Sequence, residues 1–81
     1  MEFTFEQNEL SVNLIDAFVR SYRAQKYGEF PTRVLTSVNT AMKLMDENRF
    51  SAAMNIKPPY KIFGIKIVRC LDVDDNIIEL H

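Results

Sequence analysis

Asp72, Asp74 and Asn76 stand at alternate positions, the spacing at which a calcium loop presents its first three oxygen ligands. The sixth position of such a loop is a glycine that permits a sharp turn, and here it is Ile77; the sequence reaches His81 before the bidentate carboxylate of position twelve. Asp and Asn also favour turns by bonding their own backbone, so the segment reads as a turn. Cys70 and His81 are the lone thiol and imidazole, and two donors cannot make the three or four ligands that zinc needs. No metal or cofactor is expected. Cys70 lies in an apolar strand-like run with no base beside it, which predicts a packed thiol rather than a nucleophile. The carboxylates within sequence reach of each other, Glu9 with Asp16 and Asp46 with Glu47, fall on helix faces expected to be solvated. Acid–base pairs need environments that separate their pKa values. Gly28 and Gly64 are too far apart for a phosphate-cradling loop. No convergent ionisable set remains, so an enzyme is not expected.

The cations are more suggestive. Arg20, Arg23 and Lys26 recur every three positions with Tyr22 and Tyr27 beside them, and together with Arg33 they could meet phosphates. The same residues at a helix C-terminus are favoured by the macrodipole, and a formal net charge of −1 gives no attracting field. A nucleic-acid-binding or regulatory protein is therefore the alternative reading.

The elements that must position these residues follow from periodicity. Leu10, Leu14, Ile15, Phe18, Val19 and Tyr22 recur at three- and four-residue spacing, which predicts an amphipathic helix over 7–26. Thr4 and Gln7 have capping-box spacing, Asn8 and Ser11 are alternative caps, and Gly28 is placed for a left-handed stop. Phe3 and Phe5 alternate with polar residues and could instead form a short first strand. The β-branched run after Pro31 predicts a strand over 32–36. A helix over 37–48 follows, with Val38, Ala41, Met42 and Met45 on one face, Ser37 or Thr36 as cap and Asn48 as left-handed stop.

After Lys57-Pro58-Pro59, residues 60–71 read as one long strand with a bulge or bend at Gly64. Period two puts Phe63, Ile65, Ile67 and Leu71 on one face, and Tyr60, Ile62, Val68 and Cys70 with Lys66 on the other. A turn over 72–76 and a strand over 76–80 then complete a C-terminal antiparallel hairpin. The expected fold is α+β: two helices packed on a small, mostly antiparallel sheet of three or four strands, in a single domain over 1–81. Leu14, Phe18, Leu35, Ile65 and Ile67 are expected to pack together beneath the helices.

Eighty-one residues with 47% hydrophobic and 26% charged side chains suit one small globular module, and a chain this short gains from a partner. One cysteine rules out an internal disulfide framework. The acidic start, Met1-Glu2-Phe3-Thr4-Phe5-Glu6, is unlike the basic start of a signal peptide, and no apolar run reaches the ~18 residues of a membrane span. A soluble, cytoplasmic protein is expected, with no membrane partner.

The strand 60–71 is apolar on both faces, and the connection Phe50-Ser51-Ala52-Ala53-Met54-Asn55-Ile56 is apolar for a loop. Exposed apolar patches mark interfaces, although a sheet covered on both sides would account for the same pattern. The first reading predicts a partner-binding surface made by Phe50, Met54, Ile56, Tyr60, Ile62 and Val68, with Phe63, Ile65, Ile67 and Leu71 turned inward.

The run Gly28-Glu29-Phe30-Pro31-Thr32-Arg33-Val34-Leu35, then a helix, then Tyr60-Lys61-Ile62-Phe63-Gly64-Ile65-Lys66-Ile67-Val68 and an acidic turn, resembles a pattern in small uncharacterised bacteriophage and prophage proteins. A similar run occurs in the coat-protein fold of tailed phages. The resemblance covers about residues 28–80. It implies a viral origin, a place in the host cytoplasm or the virion, and a binding or structural role, and it transfers no catalytic residue. The expected function is a non-enzymatic interaction or structural module that forms homo-oligomers or docks on a larger protein.

Overall fold

Strand-forming and helix-forming stretches alternate along the chain, and the computed structural model, which describes residues 1–81, turns that alternation into two layers. Its elements are β1 (Glu2–Thr4), a 3₁₀ turn at Gln7–Glu9, α1 (Val12–Gln25), β2 (Arg33–Thr36), α2 (Val38–Glu47), β3 (Met54–Asn55), β4 (Lys61–Ile62), β5 (Ile65–Arg69) and β6 (Ile77–Leu80). The first helix begins later than its apolar stripe suggests. Ser11 is extended and its Oγ accepts from the Leu14 amide at 3.1 Å, so the chain before it is free to form β1 from Glu2, Phe3 and Thr4. Ser37 caps α2 in the same way, its Oγ accepting from the Thr40 amide at 3.0 Å. Asn48 ends that helix at φ −123°, not in the left-handed region expected of it, while its side-chain amide donates to the Leu44 carbonyl at 2.9 Å.

The sheet has six strands rather than three or four, in the order β1-β6-β2-β5-β4-β3. It is mixed: β2 and β5 are parallel, and the other four pairings are antiparallel. The expected C-terminal hairpin is corrected here, because β6 does not pair with β5. It inserts between β1 and β2, and the 72–76 segment carries the chain across the end of β2 to reach that slot.

The expected long strand is corrected as well. Phe63 and Gly64 have φ of 51° and 76°, the two positive values of a type I′ turn, so the bend at Gly64 is a full reversal and 60–71 divides into the tight hairpin β4–β5. A two-residue turn sets Ile62 directly opposite Ile65 and on the same face, whereas in a continuous strand those two positions face opposite ways. The reversal therefore moves Ile62 into the core.

Two crossovers, β1-α1-β2 and β2-α2-β5, join parallel strands in the same direction across the sheet, and right-handed connections of that kind leave both helices on one face. The core is that layer. Ile15, Val19 and Tyr22 of α1 and Ala41 and Leu44 of α2 pack on Val34, Ile62, Ile65, Ile67, Ile78 and Leu80 from the sheet. Leu14 and Phe18 flank it, with the Phe18 ring stacked on Phe3 at 4.5 Å between centroids. Ile65 and Ile67 are internal as expected, but Leu35 is not. Pleat alternation turns Val34 inward and sends Leu35 to the opposite face. No helix is long and apolar enough to cross a membrane.

Candidate functional site

Both helices run down towards the end where β2 and β5 begin and β6 finishes, so their C-terminal turns, the β4–β5 turn and the α2–β3 connection share one pole of the molecule. There Met45, Asp46 and Arg49, from the last turn of α2 and just beyond it, meet Ile56 and Tyr60 from the chain flanking β3 and β4. Together they line a shallow hollow of about 260 Å³. The Arg69 guanidinium lies 5.5 Å from the Tyr60 ring centroid, and Arg49 pairs with Asp46 at 3.7 Å.

Of the predicted partner residues, Ile56 and Tyr60 come together at this hollow. Met54 is half-buried against the core, and Phe50 is 95% exposed in the turn leaving α2. Ile62 is corrected: it is 0% exposed and belongs to the core for the hairpin reason given above. Two residues expected to turn inward are corrected too. Phe63 sits in the turn itself, 41% exposed, and Leu71 lies beyond β5 at 97% exposure. Val68 is half-buried and faces away from the helices, where Leu35 is its cross-strand neighbour.

That uncovered face has its own pattern. Glu2 of β1 stands opposite Glu79 of β6, Glu79 opposite Leu35 of β2, and Leu35 opposite Val68 of β5. One pleat repeat nearer the helix C-terminal pole, Arg33 of β2 stands opposite Lys66 of β5, and Lys66 opposite Lys61 of β4. None of these three cations has a carboxylate within ion-pair distance. Ile77, half-buried, continues the apolar middle beside Leu35.

The four cations of the nucleic-acid reading are not brought onto one surface. Arg20 pairs with Asp16 at 3.0 Å, and Arg23 donates to the Gly28 carbonyl while its guanidinium lies 3.8 Å from the Phe30 ring centroid. Lys26 caps the exposed end of α1, whereas Arg33 projects from the other side of the sheet. At the opposite pole the acidic turn is a tie: the Asp75 carbonyl accepts from Thr40 Oγ1 at 3.0 Å and from the Gln7 side chain. Hydrogen bonding from Ser37 and Asn39 holds the Asp75 carboxyl below its ordinary value. No group of three or more His, Cys, Asp or Glu side chains could hold a metal ion, and Cys70 is a half-buried free thiol.

Met45, Arg49, Glu2, Glu79, Lys61 and Lys66 were not among the residues that the sequence assigned to a site. Met45 reads as core from its helical spacing, and the cross-strand charges gain meaning only once the strand order is known. Comparison with known proteins finds no family model, curated protein or solved structure that matches this chain.

Proposed function

We propose that the chain is a small non-enzymatic protein-interaction module, of viral origin and active in the host cytoplasm or the virion, that docks on a larger protein through the pole where α2 ends. The observation that carries this reading is the hollow lined by Met45, Ile56 and Tyr60 beside the exposed Phe50. It suits an apolar side chain offered by a partner, while Asp46 and Arg49 at the rim supply polar registration. Non-enzymatic action is supported by the make-up of that hollow, where one carboxylate and one guanidinium answer each other and no nucleophile or general base converges. Nucleic-acid binding through Arg20, Arg23, Lys26 and Arg33 is the weaker reading, since Arg33 lies on the other side of the sheet from the three α1 cations, of which Arg20 and Arg23 are already engaged.

The test is retention of a host protein by the immobilised chain, repeated with Ile56→Glu and Phe50→Ser. Both side chains are exposed, so both variants should keep the wild-type melting transition. A protein held by the wild type and released by both variants supports the reading. Equal retention by all three overturns it.

A further inference from the structure

We propose that the uncovered face of the sheet is a self-complementary interface for a second copy of this chain, with two copies stacked face to face about a two-fold axis. It lies on the side away from the helices, whereas the α2 hollow is on the helix side, so the two surfaces can fail separately. The uncovered face carries an electrostatic cost. Like charges on directly opposed strand positions destabilise a sheet, yet this face carries two such groupings, Glu2 with Glu79 and Arg33 with Lys66 and Lys61.

The groupings are segregated. The acids lie on β1 and β6, the cations on β2, β5 and β4, and the half-buried Leu35, Val68 and Ile77 lie between or beside them. A two-fold axis between the stacked sheets, running roughly along β2, exchanges the β1–β6 side with the β5–β4 side. Glu79 and Glu2 then meet the partner's Lys66 and the partner's Lys61, Leu35 on the axis meets its own copy, and Val68 lies over the partner's β6 beside Ile77, as an isologous interface about that axis requires. The cations are offset from the acids by one pleat repeat, about 6.6 Å along the strand, a step that Lys and Arg side chains span.

A second copy relieves the opposed acids and, of the cations, Lys66 and Lys61, while Arg33 lies near the axis. A nucleic acid would relieve the cations alone and leave Glu2 and Glu79 facing each other, with His81 Nε2 at 3.3 Å from Glu79 as their one imidazole neighbour, so the charge pattern favours the chain's own surface as occupant. Dehydration of Leu35, Val68 and Ile77 supplies the non-directional part of the attraction, and the charges set orientation.

The test uses two variants of opposite sign, Glu2→Lys/Glu79→Lys and Arg33→Glu/Lys66→Glu, in sedimentation at about 100 μM, where an interface of micromolar affinity is populated. The wild type should sediment at twice its 9.4 kDa chain mass and each variant alone at 9.4 kDa, and an equimolar mixture of the variants should regain the doubled mass. If melting shows either double variant unfolded, the exposed single changes Glu2→Lys and Lys66→Glu repeat the mixing test. A monomeric wild type, a dimer that neither variant dissociates, or a mixture that stays monomeric overturns the proposal. Binding of a single-stranded DNA oligonucleotide by a monomeric wild type would instead assign the cation row to nucleic acid.

Discussion

Tyr27 and Phe63 each precede a glycine and each holds a positive φ, 56° and 51°, a region in which a bulky side chain crowds the following carbonyl. Tyr27 occupies the left-handed position after the α1 cap, with the Gly28 amide closing the turn onto the Arg23 carbonyl at 2.8 Å. Gly28 is left-handed as the sequence suggests, at φ 86°, but the helix ends one residue sooner, so Tyr27 is left-handed as well and the aromatic takes the strain. Because the Tyr27 side chain is fully exposed, Tyr27→Gly loses no packing and should raise unfolding stability by about 1 kcal/mol in urea titration. Phe63→Asn converts the β4–β5 turn to the favoured Asn-Gly pair but gives up a partly covered ring, so a smaller gain is expected there. Asp75 supplies a pH signature. Its carboxyl is held below the ordinary 3.8, so the stability it contributes is present above that value and is lost as pH falls through the lowered one. The melting-temperature difference between the wild type and Asp75→Asn should therefore be constant near neutrality and close in acid below about pH 4. A difference unchanged down to pH 2 would show that the carboxylate's bonds from Ser37 and Asn39 add no stability.

At the scale of elements, β4–β5 decides which apolar residues are internal. A continuous strand puts Ile62 on the face of Val68, whereas the two-residue turn puts it opposite Ile65, so substitutions separate the two topologies. Ile62→Ala and Ile67→Ala should each cost about 2–5 kcal/mol, enough to unfold much of a domain whose whole stability is of order 5 kcal/mol. Val68→Asp should leave the monomer folded, because that side chain faces away from the helices and is only half-buried. Circular dichroism of the three variants reads the result, and an unfolded Val68→Asp chain beside a folded Ile62→Ala chain would restore the continuous strand. Both helices and β2 were legible in the sequence because their periodicity is local and Ser37 and Ser11 are caps with a mechanism. The β4–β5 reversal was not, since the signal for a type I′ turn is Asn-Gly or Asp-Gly and this turn is Phe-Gly. Leu35 was misplaced for a related reason: in a four-residue strand with apolar neighbours at 34 and 35, the pattern does not choose the inward one, and the register with β5 and β6 does.

At the scale of the whole molecule, a near-zero net charge conceals an ordered distribution. The acidic turn 72–75 with Glu6 and Glu9 lies at the pole where the helices begin, and Arg23, Lys26, Arg49, Lys61 and Lys66 gather where they end; Arg23 complements the macrodipole of α1, whereas α2 closes on Asp46 and Glu47 against its own. That arrangement accounts for the polar axis but not for the opposed glutamates and the opposed cations across the open face, which the stacked pair resolves. Strand order is what hides this from sequence: Glu2 and Glu79 stand at opposite ends of the chain and become neighbours only because β6 inserts beside β1. Association through the open face should weaken with salt, as screening over about 10 Å at 0.1 M ionic strength reduces the exposed pairs. The most direct test of the account follows the methyl resonances of the chain as it is diluted. Signals of Leu35, Val68 and Ile77 should move with concentration while those of the buried Ile15 and Leu44 and of Ile56 at the hollow stay fixed; invariance of Leu35, Val68 and Ile77 across the dilution, or movement confined to Ile56, would contradict it.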